Sequence, residues 1–441
     1  MTHRSPGSRT LKVDTLTRVE GEGGLAIQID GDAVTGAQLH IYEPPRFFEA
    51  FLRGRSYTEP PDITARICGI CPVAYQMSAC LAIEDACGVV VDGPLHDLRK
   101  LLYAGEWIES HALHVYLLHL PDFLGYPSAI ELAQDHRAIV EQGLQLKKTG
   151  NKIIEFLAGR AIHPVNVRVG GFYRVPERTE LATLAPDLEH ALELALATVR
   201  LVGNLDIPDF GHDHPYVALR RSDEYAVLGG RLVSTTGLDV PIADFSRHFS
   251  EEQVEWSTAL HAHLLGGDHY LVGPLARFAL NADRLAPQAQ AIAREVGLDA
   301  PCRNPFRSIV VRAVEIVHAI EEAQAVLDRY ERPDTPHVPV EPRAAIGHGA
   351  TEAPRGTLYH RYELAADGTI LDAVIIPPTA QNQATIEHDV FAYAASRSRL
   401  SDDELTAQCE QLVRSYDPCI SCAAHFLDVR IDRINQQGDM T

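Results

Sequence analysis

Two short stretches, RICGIC at 66–71 and DPCISC at 417–422, lie near opposite ends of the sequence. Each carries two cysteines three positions apart. The first pair, Cys68 and Cys71, stands where a turn leads into a predicted helix that opens at Pro72, a residue suited to a first helical turn. Backbone N–H groups and the positive end of a helix favour a thiolate over a thiol at such a place. The first stretch therefore predicts a reactive or metal-binding thiol pair.

The second pair, Cys419 and Cys422, follows an Asp-Pro turn, and the two pairs together offer four thiolates to one soft metal ion. Other interpretations remain open. A structural zinc site usually has pairs about 15 to 20 residues apart, whereas almost the whole chain separates these two. A redox dithiol needs only one pair. Unrelated core cysteines are the third alternative, and we apply it to the remaining four, Cys80, Cys87, Cys302 and Cys409.

Composition excludes several classes of protein. The 441 residues are 46% hydrophobic and 22% charged, which is typical of a globular chain. A formal net charge of −21 argues against nucleic-acid binding, which needs clustered cations. Eight cysteines are too sparse for a secreted disulfide scaffold, and MTHRSPGSRT at 1–10 lacks the apolar segment of a secretory signal. The sequence contains no run of eighteen apolar residues, which a membrane-spanning helix would need. We therefore expect a cytoplasmic, reducing environment.

The periodicity of apolar residues predicts an α+β fold that is predominantly α. Long helical patterns predict a central bundle, and strand-like alternation at 11–42 and 356–378 predicts small sheet-containing lobes. A proline-rich connector is expected at 333–347. The helical patterns cover 72–86, 95–120, 128–159, 183–205 and 304–331. We predict seven regions: a β-rich lobe at 1–65, helical bundle with the first cysteine pair at 66–205, mixed α/β insertion at 206–303, bundle helix at 304–332, β-containing connector with loops at 333–400, C-terminal helix with the second pair at 401–425, and a C-terminal extension at 426–441.

The residues around both cysteine pairs, ARICGICPVAYQ and DPCISCAAHF, resemble the two signatures of the large, catalytic subunit of nickel–iron hydrogenases. The resemblance covers nearly the whole chain, in order. Its further motifs are TRVEGEG (17–23), RFFEAFLRGR (46–55), HVYLLHLPDF (114–123), HPVNVRVGG (163–171), EAPRGTL (352–358) and IIPPTAQN (375–382). It implies reversible splitting of H2 into protons and electrons. The quinone-site subunit of respiratory complex I shares the family fold but lacks the thiols.

The resemblance implies a role for each cysteine. Cys68 and Cys419 match the terminal ligands of nickel. Cys71 and Cys422 match the ligands that bridge nickel to an iron carrying two cyanides and one carbon monoxide. Soft, electron-rich thiolate sulfur suits a nickel ion that changes oxidation state.

Other positions match residues that serve this centre in the family. Glu20 matches the proton-transfer glutamate, although an isolated glutamate in a strand would ordinarily be an exposed carboxylate. Arg355 matches an arginine over the open side of the metals, and Asp122 and Asp417 match the acidic partners that hold it. Thr379 matches a donor to a cyanide. A surface salt bridge is the alternative interpretation of the arginine.

Glu49 and His425 match ligands of a nearby magnesium or additional iron. A carboxylate and an imidazole as ligands do not identify which of the two metals is bound. Tyr75 and Glu22 stand where many members have histidine. With the PPTAQNQ segment at 377–383, these departures resemble the soluble, bidirectional members that couple hydrogen to NAD(P) and the sulfhydrogenases.

The resemblance also implies partners. The sequence shows neither a dinucleotide fingerprint nor further cysteine groups for an iron–sulfur cluster. Iron–sulfur clusters, flavin and NAD(P) are therefore expected only on a small subunit and on diaphorase subunits. A maturation endopeptidase would remove 426–441 after nickel chaperones have acted. The alternatives are a hydrogen-sensing or complex I-like relative without hydrogenase activity, and a structural zinc protein with four cysteine ligands.

Overall fold

Long helices dominate the fold of this chain, whose computed structural model describes residues 8–44 and 47–425. The strands are β1 (Arg9–Val13), β2 (Gly23–Asp30), β3 (Ala33–Ile41), β4 (Val167–Arg168), β5 (Gly171–Phe172), β6 (Val217–Arg220), β7 (Arg231–Ser234), β8 (Asp239–Pro241), β9 (Phe249–Gln253), β10 (Leu260–Leu264), β11 (Ala345–Ala353), β12 (Gly356–Leu364) and β13 (Ile370–Ile376). The helices are α1 (Phe48–Leu52), α2 (Pro60–Thr64), α3 (Pro72–Cys87), α4 (Gly93–Leu113), α5 (Leu120–Leu124), α6 (Ala129–Asp135), α7 (Arg137–Ala158), α8 (Arg178–Leu181), α9 (Ala185–Gly203), α10 (Phe245–His248), α11 (Pro274–Asn281), α12 (Pro287–Glu295), α13 (Ser308–Arg329), α14 (Pro378–Ala395), α15 (Asp402–Ser415) and α16 (Ile420–Ala423).

The predicted helical bundle is confirmed. Helix α4 packs against α7 and α13, and α13 also packs against α9. Glycines let α4 and α7 approach closely, since a Cβ atom on Gly150 would lie 2.5 Å from the carbonyl oxygen of Gly105. Hydrophobic burial of these helices forms one core that extends from the N-terminal strands to the second cysteine pair.

The strands form small antiparallel sheets around the bundle. Strands β1, β2 and β3 form the N-terminal sheet that the alternation at 11–42 predicts, and β11, β12 and β13 form a second sheet of three strands. Helix α3 packs on this second sheet at Gly349, where a Cβ atom would lie 2.6 Å from the carbonyl oxygen of Ser78. The sheet therefore fixes the helix that follows the first cysteine pair.

Several predicted boundaries are wrong. The pattern at 128–159 gives two helices, because the backbone of His136 (φ −129°, ψ 48°) leaves the helical region. The pattern at 95–120 passes at 114–119 into a π-helical segment, in which i→i+5 bonds replace the usual ladder. The predicted connector ends early, because β11 already begins at Ala345.

The predicted loops at 333–400 also contain an 18-residue helix, α14, which opens at Pro378. The prolines of PPTAQN at 377–382 do not mark a loop, because Pro377 directly precedes the helix and Pro378 opens its first turn. The predicted cleavable extension, 426–441, lies outside the described residues. Among the helices described, none combines the length and apolar character needed to cross a membrane.

Candidate metal centre

The four cysteines of the two quoted stretches converge on one buried point. The Sγ atoms of Cys68 and Cys419 lie 3.6 Å apart, and those of Cys71 and Cys422 lie 3.7 Å apart. All four sulfur atoms lie within 4.8 Å of one another, and all four side chains are buried. Sulfur ligands of a tetrahedral metal ion with bonds of about 2.3 Å are separated by about 3.8 Å. The spacing therefore suits a single metal centre.

The turn before α3 directs backbone donors at the first pair. The Sγ of Cys68 accepts N–H groups from Ile70, at 3.3 Å, and from Cys71, at 3.4 Å. The next two N–H groups, at 73–74, donate instead to the buried carboxylate of Glu106 on α4, at 2.6 and 3.1 Å. The prediction that the helix end serves the sulfurs therefore needs correction, because Glu106 occupies the N–H groups of the first turn.

The segment between β1 and β2, together with α14, positions the second pair. The N–H of Cys419 donates to the hydroxyl of Thr379 in the first turn of α14, at 2.9 Å. The N–H of Ile420 donates to the carbonyl of Glu20, at 2.9 Å. The carboxylate Oε2 of Glu20 lies 3.0 Å from the Sγ of Cys419 and accepts the N–H of Ser421 at 3.1 Å. Glu20 and Thr379 are thus both in direct contact with the second cysteine segment.

The electrostatics of the sulfurs are those of a site that needs a cation. Hydrogen bonds from the other cysteines, Cys419 first, hold the pKa of Cys68 well below its usual value. Burial raises the pKa values of Cys419 and Cys422. One buried thiolate is therefore stabilised by its neighbours, whereas several together would repel one another without a metal ion.

Arg355 is held against the cysteines by a neighbouring aspartate. Its Nε donates to the carbonyl of Asp417 at 2.9 Å, and its Nη2 donates to the Asp417 carboxylate at 3.1 Å. Burial alone would lower the pKa of Arg355, but Asp417 and the cysteine sulfurs raise it well above the usual value. The remaining nitrogen, Nη1, is buried and has no hydrogen-bond partner among the described residues.

Asp122 does not hold Arg355 as predicted. Its carboxylate instead accepts hydrogen bonds from Arg414, at 2.8 and 2.9 Å, and from Arg18, at 2.5 Å. Burial acts to raise the pKa of Asp122, but these guanidinium groups lower it. The aspartate therefore joins the N-terminal segment to the end of α15, because the chain brings Arg414 and not Arg355 to it.

Tyr75 is buried beside the sulfur cluster. Burial, followed by the electrostatic effect of Cys422, raises its pKa well above the usual value. Its hydroxyl is buried and makes no hydrogen bond of normal geometry with the described residues. The hydroxyl, at a position where many family members have histidine, is therefore a buried donor that lies near Cys422 without a partner of normal hydrogen-bond geometry among the described residues.

Glu49 and His425 lie together beside Cys422. The Oε2 of Glu49 lies 3.0 Å from the Nε2 of His425, and both residues line a small cavity together with Cys422. Burial raises the pKa of the nearby Glu251 to about 7, whereas His425 acts to lower it. The predicted pair is thus brought together, with a second acidic group, Glu251, beside it.

Sequence reasoning missed Glu106 and Glu251. A carboxylate within the otherwise apolar face of α4 is a signal for Glu106, since such groups are rarely buried without partners. No comparable signal marks Glu251, which stands in the acidic run SEEQ at 250–253. The cysteines interpreted as core residues, Cys80, Cys87, Cys302 and Cys409, are buried free thiols.

Comparison with known proteins adds independent evidence. The family model described as nickel-dependent hydrogenase matches residues 46–143 and 266–425. Sulfhydrogenase 1 subunit alpha of Pyrococcus furiosus is 36% identical over 95% of this chain and 98% of that protein. The NAD-reducing hydrogenase HoxS subunit beta of Cupriavidus necator is 27% identical over 95% of this chain and 95% of that protein.

Solved structures agree with these sequence matches. An NAD+-reducing [NiFe]-hydrogenase in the H2-reduced state superposes with a TM-score of 0.86 and 30% identity, over 95% of this chain and 99% of that one. A Ni-Fe-Se hydrogenase from Desulfovibrio vulgaris Hildenborough shares the fold, with a TM-score of 0.78 and 22% identity over 95% of this chain and all of the other. Sequence, fold and cysteine centre together establish that the chain belongs to the nickel-dependent hydrogenase family.

Proposed function

We propose that this hydrogenase large subunit holds a nickel–iron centre and splits H2 reversibly into protons and electrons. Cys68 and Cys419 would hold the nickel, and Cys71 and Cys422 would hold both the nickel and an iron that carries two cyanides and one carbon monoxide. The observation that carries the proposal is the convergence of four sulfur atoms from both ends of the chain, with the carboxylate of Glu20 3.0 Å from one of them.

The surrounding residues fit such a group. A structural zinc site needs only its four thiolates, and it would leave two buried donors, the Tyr75 hydroxyl and the Arg355 Nη1, without acceptors. Unsatisfied buried donors cost about 1–3 kcal/mol each. Both donors interact electrostatically with the cysteine sulfurs. Cyanide nitrogens on an adjacent iron are acceptors of the kind that they lack.

The metals, when bound, supply the site at which H2 is split heterolytically. The chain itself supplies the acceptor for the proton. The Oε2 of Glu20 is within hydrogen-bond reach of the Cys419 sulfur, the geometry that direct proton transfer from sulfur to carboxylate requires. The N–H of Ser421, at 3.1 Å, holds this oxygen in place. Glu20 is therefore the first proton carrier on the route away from the centre.

Arg355 places a fixed positive charge beside the metal centre. Asp417 fixes two of its nitrogens, so that the guanidinium presents the third, Nη1, without rotational freedom. A fixed cation in a buried site polarises a developing charge more strongly than a mobile one. Thr379 accepts the N–H of Cys419 through its hydroxyl oxygen and keeps its own proton to donate to a cyanide.

Electrons leave through other subunits in this proposal. The relatives are named as single subunits, alpha or beta, of hydrogenases, and two of the matches are described as NAD-reducing. We assign the iron–sulfur clusters to a small subunit, and flavin and NAD(P) to diaphorase subunits in the cytoplasm. Glu49 and His425 bind magnesium or a further iron. Nickel chaperones and a maturation endopeptidase complete the chain before assembly.

Metal content and infrared spectra of the intact complex test the proposal. We expect one nickel per large subunit, at least one iron beyond the clusters of the partner subunits, and infrared bands of metal-bound cyanide and carbon monoxide. H2-dependent reduction of NAD+ or NADP+ should accompany them. Zinc in place of nickel, without those bands, would support the structural alternative and reject the proposed chemistry.

A further inference from the structure

Three histidines from separate segments meet in a surface pocket that the hydrogen chemistry does not use. His214 precedes β6, His269 follows β10, and His388 lies on α14. The ring centroids lie 4.6, 4.6 and 4.9 Å apart. One nitrogen of each ring lies within 4.8 Å of a nitrogen of both others. Three converging imidazole nitrogens are a ligand set typical of zinc.

A buried carboxylate orients the innermost ring. The Nε2 of His214 lies 2.6 Å from Oδ1 of Asp389, which has no proton to donate as a carboxylate, so the imidazole N–H donates to it. The other nitrogen of His214, Nδ1, is then an electron-pair donor and lies 3.0 Å from Nε2 of His269. A carboxylate that fixes the tautomer of a histidine in this way is the usual support of a metal ligand.

The carboxylate is itself fixed from its other side. Nδ1 of His212 lies 2.5 Å from Oδ2 of Asp389, and the hydroxyl of Tyr416 also donates to that oxygen. His212 and Asp389 are buried, whereas the side chain of His388 is 51% exposed. The arrangement thus has a rigid buried support and an outer ligand that faces solvent.

We propose that His214, His269 and His388 bind one Zn2+ ion, with a fourth position open to solvent. Imidazole ligands favour zinc and related transition metals, whereas magnesium and calcium prefer oxygen. Hydrogen bonding among the rings does not account for the position of His388. The hydrogen-bonded pair needs only His214 and His269, and His388 adds just a 3.5 Å contact with Asp389.

Such an ion would tie three segments of the chain together. It would join the segment before β6, the turn after β10 and α14. Helix α14 also carries Thr379, which accepts the N–H of Cys419. We therefore expect zinc to raise the thermal stability of the subunit through binding to the folded state alone. The hydrogenase reaction itself does not need this ion.

Zinc titration of the intact holoenzyme tests the site. After treatment with a chelator, zinc uptake is measured by competition with a chromophoric zinc chelator, in the wild type and in the His269→Gln and His388→Gln variants. His190→Gln, on the exposed face of α9, is the matched control. We expect the wild type and the control to take up one zinc more per large subunit than either variant. Asp389→Asn should weaken zinc binding about 10- to 100-fold.

Two further readouts separate a built site from adventitious binding. Co2+ should give the intense visible absorption of a four-coordinate ion in the wild type and lose it in both variants. Zinc should raise the melting temperature of the wild type and of His190→Gln but not of the variants, whose H2 oxidation should stay unchanged. Equal zinc uptake by the wild type, His190→Gln, His269→Gln and His388→Gln, or only weak six-coordinate cobalt absorption, would overturn the proposal.

Discussion

At the scale of single residues, the position of one carboxylate oxygen carries the proton-transfer proposal. Glu20→Gln keeps the size and the hydrogen-bond acceptor of the side chain but removes its capacity to take a proton from the Cys419 sulfur. We expect H2 oxidation to fall about 10²- to 10⁴-fold, the usual contribution of a general base, with nickel and iron content unchanged. Glu22→Gln, at an exposed position two residues away, is the control and should stay active. A fully active Glu20→Gln enzyme would exclude this carrier.

The fork of hydrogen bonds between Arg355 and Asp417 is the second feature at this scale. Arg355→Lys preserves the charge but loses the rigid planar geometry that Asp417 fixes. We expect kcat/KM for H2 oxidation to fall about 10²- to 10³-fold, as when one aligned donor is removed, while the metals stay bound. Arg361→Lys, in the Arg361–Asp372 pair of the neighbouring sheet, should change activity little. Loss of nickel from Arg355→Lys would show that the arginine serves assembly and not turnover.

At the scale of helices and strands, the crossing of α4 and α7 depends on glycine. A Cβ atom on Gly150 would meet backbone atoms of Gly105 and Glu109 at 2.5 and 2.6 Å, and backbone cannot rotate aside as a side chain does. We expect Gly150→Ala to destabilise the subunit by about 1–3 kcal/mol, despite the better helix propensity of alanine. Thermal unfolding measures the effect. Lys148→Ala, at an exposed position of the same helix, should leave the melting temperature nearly unchanged, and equal melting temperatures for both variants would contradict the close packing.

Local residues mark the ends of some helices in the sequence, whereas the ends of others depend on contacts with distant segments. Helix α3 is confirmed from Pro72 to its left-handed glycine, Gly88, because both ends carry local residue signals. Helix α14 was missed, since its opening prolines resemble a loop until the following turns are known to be buried. The split at His136 has no proline or glycine to mark it. Such helix ends are set by packing between distant segments. The spacing of apolar residues along the sequence carries no information on that packing.

At the scale of the whole molecule, Asp122 joins both ends of the chain near the metal centre. It binds Arg18, two residues before Glu20, and Arg414, five residues before Cys419. Asp122→Asn removes the charge that pairs with two largely buried guanidinium groups, and we expect a loss of about 3–5 kcal/mol of stability. Melting temperature and nickel content should both decrease. Glu141→Gln, in an exposed pair with Arg137, should cost less than about 1 kcal/mol. Unchanged nickel content in a stable Asp122→Asn subunit would show that the chain ends assemble without this pair.

The site could be predicted as far as its residues belong to short motifs. The cysteines, Glu20 and Thr379 could be assigned to the site because each lies in a short motif that the sequence shows. The contact of Asp122 with Arg414 depends on the direction in which α15 ends, and no motif specifies that direction. Glu251 reaches the Glu49–His425 pair through a strand with no distinguishing sequence. Long-range partners of charged residues were therefore the least predictable part of the site.

Anomalous X-ray diffraction from crystals of the holoenzyme, recorded on either side of the nickel and iron absorption edges, tests the central claim most directly. We predict one nickel peak among the Sγ atoms of Cys68, Cys71, Cys419 and Cys422, with an iron peak beside it on the side of Cys71 and Cys422. A zinc signal at that position, or nickel bound elsewhere in the chain, would contradict the claim that both ends of this sequence form a hydrogen-splitting centre.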